Sequence, residues 1–297
     1  MSLSYKPYFE DLWDFWFREF HNGKVGMAYK VKDILYSGKS KFQKIEVLEV
    51  HEYGRMLILY GSVMLTEKDE FIYHEMITHV PVFVHENPKD ILVIGGGDGC
   101  ALRELLKHKE IKEIHLVEID EKVIEISKKY LSNICQNSFN DSRVKIIPDD
   151  GFYYLKKSTQ KYDLVISDAP DPLPPGDTLF KKDFFRLVKE HLKDKGIFVS
   201  QTESPFYHAD IFKTTYKNLS SVFKTVQVYL AWIPTYPSAL WSFMICSDFY
   251  DPLRDFKKDK YKKYLDAGFN TKYYNDKVHF ASFALPNFVE EILGNET

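Results

Sequence analysis

The apolar positions along the chain change period several times. Residues 8–20 place Phe9, Leu12, Trp13, Trp16 and Phe20 at i, i+3 and i+4 spacing, which predicts a short amphipathic helix. From Gly26 to about Thr66 the pattern turns to β. Ile45, Val47 and Leu48 lead into the turn signal His51-Glu52-Tyr53-Gly54, and Met56-Leu57-Ile58-Leu59 follows it. This predicts a small N-terminal antiparallel β-meander. Asp69 to His79 reads as a helix whose main apolar residues are Phe71, Ile72, Met76 and Ile77.

After Asn87-Pro88 short apolar runs alternate with helical spacers. Ile91-Leu92-Val93-Ile94 precedes a helix over Ala101 to Lys109, and Ile114-His115-Leu116-Val117 precedes another over Glu121 to Leu131. Val144-Lys145-Ile146-Ile147, Leu164-Val165-Ile166 and Ile197-Phe198-Val199 repeat the grammar. Such runs are buried parallel strands covered on both faces, so the sequence predicts a doubly wound α/β sheet. The expected division is a β domain over 1–86 and an α/β domain over 87–297. Thr225 to Ser247 carries no charge and imitates a membrane span, but Pro234, Pro237 and several polar residues break it. It reads as a strand, a loop and a second strand, and the protein as soluble.

Composition sharpens this picture at three points. With 44% hydrophobic and 16% aromatic residues, the 297-residue chain can fill a large core. Forty Lys+Arg against 43 Asp+Glu exclude a generally basic nucleic-acid coat, and neither nucleic acid nor membrane is an expected partner. Cys100, Cys135 and Cys246 form no CxxC pair, which suits reduced thiols, no zinc site and a cytoplasmic location.

The acids stand where ligands bind such a fold, beyond the carboxyl ends of the strands. The first strand ends in Gly95-Gly96-Gly97-Asp98-Gly99, more glycine than a turn requires. The GxGxxG spacing of dinucleotide sites fails at Cys100, and Asp98 would repel a pyrophosphate. An anionic loop suits a nucleoside whose other end is cationic, such as a sulfonium. The second strand ends at Glu118, 19 residues after Gly99, where a carboxylate can accept both hydroxyls of a ribose. Asp120 follows as a cap for the next helix. The third ends in Asp149-Asp150-Gly151, where one acid can cap and the other can accept from an adenine amino group. The fourth ends at Asp168, with Asp171 three residues on in a proline-stiffened loop, an arrangement that favours catalysis.

Residues 91–99, 114–120, 146–151 and 163–172 bring these seven carboxylates together without a Lys or Arg. Clustered acids repel one another unless a cation binds among them. No His stands at the strand ends to complete a metal site, and a cationic organic substrate is the better expectation.

At these residues the sequence resembles the spermidine synthase (polyamine aminopropyltransferase) family. The resemblance rests on Asp69 to Met76 (DEFIYHEM), GGGDG at 95–99, Val117 to Asp120, Asp150-Gly151-Phe152, Asp168 to Pro172, Ile233 to Ser238 (IPTYPS) and Tyr273-Tyr274-Asn275. It implies a Rossmann-like, class I methyltransferase-like fold and transfer of an aminopropyl group from decarboxylated S-adenosylmethionine. That donor would be a co-substrate, with no cofactor and no metal. The resemblance also implies a homodimer or homotetramer.

Carried over by motif, Glu118 with Gln43 would hold the ribose, Asp150 the adenine amino group and Asp98 the donor's primary amine, with Gly95, Gly97 and Gly151 also binding the donor. Asp168 and Tyr73 would be catalytic. His74, Asp171, Gln201 and Tyr236 would line the amine site, and residues 170–180 would gate it. Tyr60, Met64 and Pro174 depart from the family pattern, the first two near its amine pocket. Putrescine is the default acceptor, with cadaverine, agmatine and longer polyamines as alternatives. A methyltransferase and a non-catalytic polyamine-binding module are the more distant readings.

Overall fold

The computed structural model describes residues 15–21, 23, 25–170 and 176–294. Among them twelve strands form two sheets. The smaller is an antiparallel meander of β1 (Trp16–His21), β2 (Val25–Lys39), β3 (Lys44–Val50), β4 (Gly54–Leu59) and β5 (Ser62–Thr66), paired in chain order. The larger runs in the order β11-β12-β10-β9-β6-β7-β8. It comprises β6 (Asp90–Gly95), β7 (Glu113–Val117), β8 (Val144–Ile147), β9 (Tyr162–Asp168), β10 (Leu192–Gln201), β11 (Thr225–Trp232) and β12 (Leu240–Ser247).

Strands β8, β7, β6, β9 and β10 are parallel, as the apolar runs predict, and β12 closes that edge antiparallel to β10. Thr225 to Ser247 is a hairpin of the last two strands, not a span. Among the described residues no helix is long and apolar enough to cross a membrane.

The helix expected over 8–20 is corrected in its described part. Trp16–His21 is a strand, each residue paired with β2 from Lys30 to Val25, and residues 8–14 lie outside the described residues. A short apolar run cannot choose between periods by itself; the neighbouring strand decides.

The helices are α1 (Glu70–Val84), α2 (Cys100–Leu106), α3 (Glu121–Tyr130), α4 (Ser132–Cys135), α5 (Gly151–Lys157), α6 (Lys182–Glu190), α7 (Ala209–Ser220), α8 (Lys258–Asp266), α9 (Asp276–Ser282) and α10 (Asn287–Leu293). The first runs past the expected end at His79, straight through Pro81. Its face of Ile72, Met76, Ile77 and Val80 packs with Ile91, Val93, Ile166 and Val199, and that burial outweighs one lost helix bond. The sequence division at residue 86 would group this helix with the small sheet, whereas its apolar side chains share a core with the large one. Ile45, Val47, Leu57 and Leu65 of the small sheet pack on Val123, Ile126, Leu131 and Ile134, which seats the meander over the strand ends.

One buried acid ties α1 to the C-terminal segment. Glu75, 1% exposed, accepts the backbone N–H groups of Lys272, Tyr273 and Tyr274, each at 2.8 Å. Glu75→Ala leaves these donors without their acceptor. It is expected to cost roughly 3 kcal/mol and to lower Tm by roughly 6 °C. An unchanged thermal melt would contradict that assignment.

Candidate active site

Four parallel strands end around one cleft, which the small sheet and the β10–β12 edge close from the other side. At the end of β6, Gly95 has φ of +81°, and a Cβ there would lie 2.2 Å from the Asp168 carbonyl oxygen. The Gly96 N–H donates to that same oxygen at 3.0 Å, so the glycine loop is fastened to the end of β9. Gly97 leaves room for Glu118, whose Oε2 would stand 2.9 Å from an added Cβ. Asp98 is turned into the cleft and accepts from the Cys100 N–H at 2.7 Å.

After β7, Glu118 is buried and accepts the Asp120 N–H at 2.9 Å. Burial is the main cause that pushes its carboxyl up to about 7, with the neighbouring Asp120 and Asp98 adding to it. A group in that state gains from a ligand that brings hydroxyl donors. Asp120 caps α3 through the Lys122 N–H, as expected, and also accepts Ser40 Oγ at 2.6 Å and Gln43 Nε2 at 3.1 Å. Gln43 therefore lines the same cleft as Glu118, but its amide rests on Asp120. After β8, Asp150 lines the cleft while its Oδ1 caps α5 through the Phe152 and Tyr153 N–H groups; Gly151 opens that helix.

Asp168 ends β9. Tyr73 Oη donates to its Oδ1 at 2.7 Å, whereas its buried Oδ2 has no partner among the described residues. Burial first and the charge of Asp98 second push its carboxyl up to about 6. Asp98 behaves oppositely. Burial alone would raise it, but the facing His74 and the Cys100 amide hold it below the ordinary carboxylate range. Two neighbouring acids are thus driven apart, the arrangement that assigns one a fixed charge and the other a proton to exchange.

His74 stands between them in the wall. Its Nδ1 lies 2.8 Å from Glu70 Oε2 and its Nε2 lies 3.6 Å from Asp98 Oδ1. Burial alone would lower its pKa, but Asp98 and Glu70 outweigh that and raise it well above the usual imidazole range. A pKa raised in this way favours an imidazolium facing Asp98 over a lone pair offered to an amine. Two sets of side chains approach metal-site spacing, His74-Asp98-Asp168 and Glu70-His74-Cys100, and His74 would give up a proton to ligate in either.

Among the residues expected to line an amine site, Gln201 donates to the Ala169 carbonyl at 3.1 Å and accepts the Glu203 N–H at 3.0 Å. Tyr236 donates to the Met64 carbonyl at 2.6 Å and meets Tyr73 edge-on at 5.9 Å. Asp171 lies outside the described residues, as do 172–175 of the expected gating loop; Leu179, further along that loop, lines the cleft.

The sequence reading missed four titratable residues of this wall: Glu19, His21, Glu203 and His208. Glu19 accepts the Val63 N–H at 2.9 Å, and burial pushes its carboxyl up to about 7. His208 Nδ1 lies 2.7 Å from Glu203 Oε2 but off the hydrogen-bond line, and neither Glu203 oxygen has a hydrogen-bond partner among the described residues. Glu19 and His21 were hidden by the helical reading of β1. Glu203 was within reach, since it stands two residues beyond Gln201 at a strand end.

A parallel sheet whose carboxyl ends enclose a cleft, with a glycine loop on one strand and a buried acid on the next, defines the Rossmann-like class of α/β protein. Residues 70–258 match the family described as the spermine/spermidine synthase domain, and residues 15–67 match the spermidine synthase tetramerisation domain. A polyamine aminopropyltransferase of Caldicellulosiruptor saccharolyticus is 44% identical over 280 residues, covering 94% of this chain and 98% of its own. A spermidine synthase solved in complex with the transition-state analogue AdoDATO is 42% identical, with a TM-score of 0.91 over 96% of this chain and 97% of that one. The spermidine synthase of Thermotoga maritima superposes with a TM-score of 0.89 at the same identity and coverage. The chain belongs to the spermine/spermidine synthase family.

Proposed function

We propose that this chain is a spermidine synthase, moving the aminopropyl group of decarboxylated S-adenosylmethionine to putrescine to give spermidine and methylthioadenosine. The observation that carries the reading is the split pair of acids, Asp98 held ionised and Asp168 poised near neutrality. Asp98 takes the primary ammonium of the donor, Glu118 the ribose and Asp150 the adenine amino group. The donor is a co-substrate, and no cofactor enters the reaction. The match of residues 15–67 to a tetramerisation domain supports a homo-oligomer.

An alkylammonium has a pKa of about 10, so freeing its lone pair at pH 7 costs roughly 4 kcal/mol. Asp168 accepts that proton while Tyr73 orients its carboxylate. The freed nitrogen then attacks the methylene beside the sulfonium. The C–S bond breaks with its electron pair going to sulfur, which leaves as a neutral thioether and needs no acid. Both substrates held in line in a closed cleft supply much of the remaining acceleration. Glu19 and Glu203 on the amine wall are suited to the second ammonium of a diamine.

The deciding experiment is a turnover assay with the decarboxylated donor against putrescine, cadaverine, agmatine and spermidine. Putrescine should give the highest kcat/KM, and preference for another amine would move the assignment to that acceptor. Calorimetry with both donors separates a methyltransferase, because Asp98 repels the carboxylate of intact S-adenosylmethionine; tighter binding of the carboxylated form would refute the aminopropyl reading.

The acidity of Asp168 gives a pH prediction. A raised carboxyl is protonated below its pKa and can accept a proton only above it. The single-turnover rate with both substrates loaded should therefore rise with pH and level off. Its midpoint should fall at or below about 6, because bound cations favour the ionised form. A midpoint well above 6, or a rate that rises on acidification, would contradict proton acceptance by Asp168.

A further inference from the structure

Behind the cleft wall a row of buried charges runs from α2 to Asp98. Arg103, 9% exposed, grips Glu70 with two parallel bonds, Nη1 to Oε1 at 2.7 Å and Nη2 to Oε2 at 2.9 Å. Its Nη1 also donates to the Ile134 carbonyl and its Nε to Glu104, so the guanidinium is locked in place. Glu70 Oε2 meets His74 Nδ1, and His74 Nε2 faces Asp98. The signs alternate along the row, plus, minus, plus, minus. His74 and Asp98 line the cleft, whereas Glu70 and Arg103 do not.

Ligand atoms of His74, Asp98 and Asp168 lie within 4.8 Å of one another. Two carboxylates that close share a proton unless their surroundings decide which one keeps it. The groups facing His74 are Glu70, Asp98 and Asp168, the hydroxyl-bearing ring of Tyr73 and the neutral thiol of Cys100. Among them the carboxylates nearest its two nitrogens favour the imidazolium. Arg103 in turn keeps Glu70 ionised and aimed.

We infer that Arg103 and Glu70 are positioning residues that hold His74 as the imidazolium opposite Asp98, so that Asp98 stays charged for the donor's ammonium and Asp168 alone exchanges the proton. The inference rests on the aminopropyl reading above but makes a separate claim, about residues that touch neither substrate. Removing the charge on Glu70 lets His74 become neutral. Asp98 then shares the proton with Asp168 over the neutral range, and the donor loses its anionic partner there.

The test compares two ligands by calorimetry from pH 6 to 9, the decarboxylated donor and methylthioadenosine, which lacks the ammonium. Because methylthioadenosine lacks the sulfonium charge as well as the ammonium, their affinity ratio reports the donor's cationic end, and it cancels any titration of Glu118, which both ligands meet. In the wild type the ratio should stay flat. In Glu70→Gln and in His74→Gln it should fall at least tenfold at pH 6.5 and recover by pH 8.5 or above. A ratio that stays at the wild-type level overturns the inference, as does one lowered equally at every pH, which would mark a merely structural role. His74→Gln leaves the Arg103–Glu70 pair intact, so the test survives if Glu70→Gln fails to fold. Failure of the wild type itself to prefer the decarboxylated donor would instead refute the aminopropyl reading.

Discussion

Asp168→Asn is expected to cut turnover by roughly a hundredfold or more, with donor affinity near that of the wild type and an empty protein that melts no lower. The rate loss follows from the proton. An amide cannot accept one from an ammonium, so the nucleophile must reach its neutral form in water before it binds. The amide oxygen still accepts from Tyr73 Oη, which keeps the local geometry.

The unchanged or higher Tm comes from the buried carboxyl that the amide replaces. The carboxyl is raised from 3.8 to about 6 in the fold, so its ionisation opposes folding. That penalty is absent below pH 4 and complete above about 6. It amounts to roughly 3 kcal/mol in the empty cleft. The variant should therefore gain a few degrees of Tm over the wild type at pH 8 and lose that advantage at pH 4. Wild-type-like turnover would remove Asp168 from the mechanism, and a lower Tm at pH 8 would mean that its charge is satisfied in the empty cleft.

What could be read from the sequence, and what could not, follows from how far each residue's partners lie along the chain. The ends of β6, β7, β8 and β9 were legible because buried parallel strands are short apolar runs, and a ligand site in such a sheet stands at their carboxyl ends. Asp120 as a cap needs only its own neighbours. The segment Asp69–Glu75 was legible only as a block.

In the fold its polar residues separate. Asp69 accepts from Thr66 and Thr235, Glu70 pairs with Arg103, Tyr73 with Asp168 and His74 with Asp98, and Glu75 holds the backbone at 272–274. Most of these partners lie between 24 and 200 residues away, beyond the reach of any local pattern. Glu19 and His21 were lost for a different reason: β1 shows a helical spacing, and only pairing with β2 makes it a strand.

The second large effect belongs to Gly95, where the backbone rather than a charge holds Asp168 in place. Alanine at φ of +81° carries a conformational cost of about 1–2 kcal/mol. The larger cost is the methyl group, which would sit 2.2 Å from the Asp168 carbonyl oxygen and 2.8 Å from its carbon. Those are backbone atoms of a central strand and cannot rotate away. To admit the methyl, the ends of β6 and β9 must part, which breaks the Gly96 N–H bond to Asp168 and moves the carboxylate off Tyr73.

Gly95→Ala should therefore lose turnover at least as severely as Asp168→Asn, but with a different signature. Tm should fall by an amount equivalent to about 3 kcal/mol or more, and donor affinity should drop tenfold or more because the glycine loop moves with the strand. Melting and calorimetry on the two variants separate a lost proton acceptor from a displaced one. If Gly95→Ala instead melted and bound donor like the wild type, the fastening of the glycine loop to β9 would not be what positions Asp168.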